Sequence, residues 1–181
     1  MINLNFRLIF PFFAAIFCIA LVFPLSAKSQ RRDYLTEAEI ELVRDAQEID
    51  LRVAVLTKAI DRRFAVLKNQ TPKEKEVWGA LPKGTRTELL LDIEKLLQKA
   101  IDDIDETATR NKDSKLFPKA FYKLADSCTE YLPQFKTFLD AAKDDKERGA
   151  ILGSIEDCNE VIAASSKVNR EPAKEENKKK N

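Results

Sequence analysis

The residues whose types and spacing could do chemistry are Cys128 and Cys158, four helical serines, Trp78 and an acidic run. Histidine is absent from all 181 residues. Its absence excludes a Ser-His-Asp triad, a Cys-His pair, His-ligated haem and every His-containing zinc or di-iron pattern. Asp102, Asp103, Asp105 and Glu106 are the densest acids and suggest a site for a hard cation. On a helix, however, four such carboxylates fan out around the axis, and Ile101 and Ile104 between them are the apolar positions. The expectation is therefore a solvated helical face, with no metal and no cofactor. Ser127, Ser154, Ser165 and Ser166 lack a G-x-S-x-G context, and no spacing marks a carboxylate pair for acid–base work. The expected class is non-catalytic.

The two cysteines lie 15 residues either side of position 143, where the Lys143-Asp144 turn between two helices is expected. In an antiparallel hairpin they stand at one height on inward faces. In an exported chain that predicts a Cys128–Cys158 disulfide, closing a loop worth roughly 3–4 kcal/mol. The alternative is a pair of buried free thiols. Trp78, in Val77-Trp78-Gly79-Ala80-Leu81-Pro82, is either a plug on the end of the core or a partner contact.

Export is read from the first 29 residues. They hold no acid and only Arg7 and Lys28 as bases, with the apolar run Leu8 to Ala27 between. A charged start, an apolar core broken by Pro24 and the small residues around Ala27-Lys28-Ser29 predict a signal peptide over 1–29. The competing expectation is that 8–27 stays as a membrane anchor. Removing 1–29 takes two bases from a chain of net charge +1, leaving a near-neutral protein with no electrostatic case for nucleic acid.

The elements that must position these residues are helical. Only four Gly stand in the chain, too few for a turn-rich β fold. Capping boxes recur at Thr36/Glu39, Thr71/Glu74, Thr85/Glu88 and, with Asp as cap, Asp144/Glu147. A first helix is predicted from Glu37 to Lys68 on the stripe Leu42, Ala46, Ile49, Val53, Leu56, Ile60, Phe64 and Leu67. A short helical turn ending at Val77-Trp78 leads to a second helix, Arg86 to Arg110. A third starts at Phe117-Pro118, with a kink or break at Pro133. A fourth, Asp145 to Ser165, presents Ile151, Leu152, Ile155, Cys158 and Ile162, and its Gly149 and Gly153 admit close approach of another helix.

The expected fold is all-α: an elongated antiparallel four-helix bundle over 30–166, then a charged disordered tail, 167–181. Its function is expected to be protein binding or a structural role outside the cytoplasm. A small-molecule carrier with an apolar interhelical cavity is the alternative.

Overall fold

A computed structural model describes residues 32–72, 76–110 and 115–168. The signal-peptide or anchor reading, the Thr71/Glu74 box and the tail beyond 168 lie outside those residues. Within them the protein is all-helical. Its helices are α1 (Glu37–Asp45), α2 (Ile49–Leu67), α3 (Arg86–Arg110), α4 (Leu116–Asp140) and α5 (Asp145–Ser165). A 3-10 turn, Glu76–Trp78, supplies the expected helical turn between the first hairpin's helices.

The caps explain where several helices start. Thr36 and Glu39 make the reciprocal box at α1, and Thr85 and Glu88 make it before α3 (2.7 and 3.2 Å). At α5 only half the box forms. Asp144 accepts from the Glu147 N–H (2.8 Å), while the Glu147 carboxylate turns to other partners. α2 ends on Asn69 at φ 54, with the Gln70 N–H returning to the Ala65 carbonyl (2.8 Å).

The long first helix is broken. Ala46 leaves the helical region (ψ 81), and α1 and α2 are separate elements. No Gly or Pro marks this point, so periodicity alone ran the helix through it. The reason is electrostatic and distant in sequence. In one straight helix Glu39 and Arg62, 23 positions apart, would be separated by about 35 Å. Folding α1 back lets the Glu39 carboxylate reach Arg62 (2.6 Å) and Arg63 (2.8 and 2.7 Å), all three nearly or wholly buried. Side chains satisfy carbonyls freed at the break: Arg52 Nε donates to Ala46 (3.0 Å), and the Gln47 amide to Arg44.

Pairing of the four long helices follows from their cross-contacts. α2 and α3 run antiparallel, with Arg63 facing Asp92 and Ile49 near Thr107. α4 and α5 also run antiparallel, with Cys128 against Cys158 and the Tyr122 hydroxyl on the Ser165 carbonyl (3.2 Å). The two hairpins then stack in parallel. Asp50 meets Lys119 and Lys68 meets Gln134 along α2 and α4, while Thr87 meets Glu147 and Glu94 reaches Gly153 along α3 and α5. The arrangement departs from the expected bundle in this parallel stacking and in the extra helix α1.

The core is the predicted set with local shifts. Val53, Leu56, Ile60, Phe64, Ile93, Leu96, Leu97, Ala100, Leu124, Cys128, Phe135, Ile151 and Cys158 are buried. Phe64 packs on the rings of Tyr131 and Phe135 (both 5.3 Å between centroids) and Phe138 (5.9 Å). Leu152, expected inside, is 47% exposed, because the inward stripe of α5 is Glu147, Ala150, Ile151, Ser154, Cys158 and Val161. α4 passes through Pro133 without a break. The proline is exposed, so the carbonyl it deprives of a partner can meet water.

The predicted disulfide is corrected: Cys128 and Cys158 are both free thiols, each wholly buried. The expected register holds, since the two side chains are hydrogen-bonded to each other. That bond to Cys128 and burial push the Cys158 thiol far above its ordinary range, which suppresses the thiolate that exchange requires.

Two stability outcomes follow. Glu39→Ala strands two buried guanidinium groups and should cost about 3–5 kcal/mol in urea unfolding. Gly149→Ala should instead stabilise by about 0.5–1 kcal/mol by the same assay, because its Cβ would enter open space on a helix.

Candidate functional site

The Arg62/Arg63 centre is densely hydrogen-bonded. Glu39 also accepts from the Thr36 N–H (2.9 Å), so four donors converge on one carboxylate. Arg62 donates onward to the Ala80 carbonyl (2.8 Å), and its guanidinium lies 5.4 Å from the centre of the half-buried Trp78 ring. Arg63 donates to Tyr34 (2.5 Å) and Ala59 (2.7 Å) and has Asp92 at 3.9 Å. Gly79, at φ +60, is needed here twice over, since a Cβ would also lie 3.0 Å from Ala38. Burial works to raise the Glu39 carboxyl, but the Arg63 bond and charge, the Thr36 amide and Arg62 outweigh it and hold it low.

A second clip stands at the same end. Glu147 takes the Arg86 Nε (3.2 Å), the Thr87 hydroxyl (3.1 Å) and the Lys143 N–H (3.1 Å). Arg86 in turn donates to the Phe138 carbonyl (3.2 Å) and stacks 5.1 Å from the Phe138 ring centre. Both centres use their charged groups to fasten helices. Arg63 Nε, 3.9 Å from Asp92 and without a hydrogen bond, is the exception.

Away from that end the surface opens. A polar cleft of about 650 Å³ lies between α2 and α4, bounded by Lys58, Asp61, Lys123, Asp126, Ser127 and Glu130. At its base the Tyr131 hydroxyl donates to the Thr57 carbonyl (3.0 Å) and faces Asp61 and Ser127. Burial raises the Asp61 carboxyl despite the Tyr131 bond and Lys58. Burial and the Asp61 charge likewise lift the Tyr131 phenol. A second hollow of about 380 Å³ is formed where α1 breaks from α2, against the last turns of α3 and the start of α4.

The sequence-predicted residues separate accordingly. Asp102, Asp105 and Glu106 are exposed as expected, but Asp103 is 4% exposed, held by Lys99 and bordering the smaller hollow. The described residues contain no cluster of three metal-ligating side chains. Ser154, Ser165 and Ser166 donate to carbonyls of their own helix (2.9, 2.7 and 2.8 Å) and are not held for nucleophilic attack. Ser127 alone reaches the cleft. No described helix is long and apolar enough to cross a membrane.

Sequence reasoning missed the burial of Arg63 and Asp103. The signal was present: Arg63 follows Ile60 by three, and Asp103 follows Ala100 by three and Leu96 by seven, which puts both on apolar stripes.

No family model matches the chain, and no curated protein or solved structure is detectably similar to it.

Glu94 on α3 lies within the field of Asp157 on α5. The Glu94 carboxylate lies over Gly153, where a Cβ would be 2.8 Å from Oε1. Burial, then the Asp157 charge, raises Glu94; burial, then Glu160, Glu156 and Asp102, raises Asp157. A carboxyl raised by folding stabilises the fold when protonated and loses that contribution as pH rises through its folded value. Glu94→Gln should therefore stabilise the protein at pH 7, by under about 1 kcal/mol given its partial exposure. The gain should vanish below the ordinary glutamate range of about 4 in thermal melts taken across pH.

Proposed function

We propose that the chain is exported, loses residues 1–29, and works outside the cytoplasm as a non-catalytic binding module for a protein partner. In this reading α2 to α5 are the four staves of an elongated bundle, and α1 folds back along α2. α3 and α4, of 25 residues each, are about 37 Å long and offer an extended lateral surface.

The cleft between α2 and α4 carries the proposal. Its walls mix Lys58, Lys119 and Lys123 with Asp61, Asp126 and Glu130. Such walls suit a polypeptide segment bearing both signs of charge, and are a poor match for a polyanion. The floor adds Ser127 as a hydroxyl group.

A second reading, a small-molecule carrier, is favoured by one observation only, the smaller hollow at the α1–α2 break. Next to Pro133 the aromatic cluster of Phe64, Tyr131, Phe135 and Phe138 fills the interior where an apolar cavity would have lain.

The test is a photo-crosslinking side chain placed at Lys58, at Asp126, or at exposed Glu160 on α5, in protein expressed with its own leader. A discrete adduct from the first two positions and not the third, on protein whose intact mass lacks 1–29, is the expected outcome. Equal labelling at all three positions, or none at the cleft, would overturn the binding surface. A full-length mass would overturn cleavage and favour 8–27 as a retained anchor.

A further inference from the structure

Among the described residues, four buried side-chain polar atoms have no hydrogen-bond partner: Asp50 Oδ1, Arg63 Nε, Asp103 Oδ2 and Asp157 Oδ2. Arg63 Nε lies 3.9 Å from the Asp92 carboxylate, whose charge it already meets. Asp103 differs from the rest, because it borders a hollow large enough for a small solute. An unsatisfied buried acceptor is costly, the more so when charged, and a donor supplied from outside would remove that cost. Its other oxygen is already held by Lys99.

The rest of the hollow is mixed in charge, with Glu48 and Glu106 as acids and Arg52 and Arg110 as bases. Arg52 enters from α2, its Nε fixed on the Ala46 carbonyl (3.0 Å), which orients the group and leaves its terminal nitrogens for another acceptor. The same hollow borders Glu48 and Ile49 at the N-terminus of α2, where no side chain caps the helix. Arg110, by contrast, is committed to Glu106 (2.7 Å). One hollow thus borders Asp103, whose Oδ2 lacks a donor, and a fixed guanidinium beside an uncapped helix start.

We infer that this hollow is a binding site for a free α-amino acid. The ammonium group meets Asp103 Oδ2, and the carboxylate meets Arg52 and the first turn of α2. The volume of about 380 Å³ leaves room for a side chain beside both charged groups. Neither a simple amine nor a simple carboxylate would satisfy both poles. The site is separate from the cleft between α2 and α4 and stands or falls independently of it.

Calorimetric titration of the full mature chain with each common L-amino acid tests this. At least one should bind with a dissociation constant between about 1 µM and 1 mM. Its N-acetyl derivative and its methyl ester should each bind the wild-type protein roughly tenfold or more weakly, as expected for a lost charged hydrogen bond. Asp103→Asn should abolish the penalty for acetylation and keep that for esterification; Arg52→Gln should do the reverse. Absence of binding by every amino acid would overturn the assignment, as would blocked forms that bind the wild type as well as free ones. Those wild-type comparisons decide the matter even if a variant folds poorly.

Discussion

One carboxylate organises one end of this protein. Glu39 gathers two buried guanidinium groups and a backbone amide, and through them binds α1, α2, the loop at Gly79-Ala80 and Asp92 of α3. Taking such charges out of water is expensive, and the geometry must recover the cost through convergent hydrogen bonds. Here the four charges sum to zero, and Arg62 and Arg63 find carbonyl acceptors for further N–H groups. The helical bonds given up around Ala46 are worth roughly 1 kcal/mol each, which is small against stranding these groups. The helix therefore breaks so that the charges can meet.

That centre and the Glu147 clip lie where α2 and α4 end and α3 and α5 begin. Carboxyls at this end are held below their ordinary range, because satisfied ion pairs outweigh burial. Farther along the helices the balance reverses. Asp61, Glu94 and Asp157 are raised by burial that nearby cations do not offset, and Asp50, Asp103 and Asp157 each keep an oxygen without a partner. At the fastening end the one such atom among the described residues is Arg63 Nε, which faces Asp92 at 3.9 Å.

The two hairpins are held together by contacts that run in parallel. Lys119 and Asp50 join α2 to α4 near their starts, and the Phe64 ring cluster joins them near their ends. Thr87 and Arg86 fix the start of α3 on the start of α5. The facing thiols lie inside one hairpin, hydrogen-bonded and buried, and serve as small apolar filling within the core.

Much of this was legible locally. Capping residues and the 3.6-residue period located α3, α4 and α5, and sequence symmetry about the Lys143 turn put Cys128 opposite Cys158, because all of these depend on neighbours within a few turns. Tertiary structure alone decided the break at Ala46, the stacking of hairpins and the second duty of Glu147. It also left Leu152 out. Each of those depends on a partner tens of residues away, and periodicity cannot weigh a buried charge without knowing what will meet it. Residue types and spacing therefore determined that this chain is a helical protein without histidine chemistry. Only the packing decided which of its many charges fasten helices and which buried ones keep an atom without a partner.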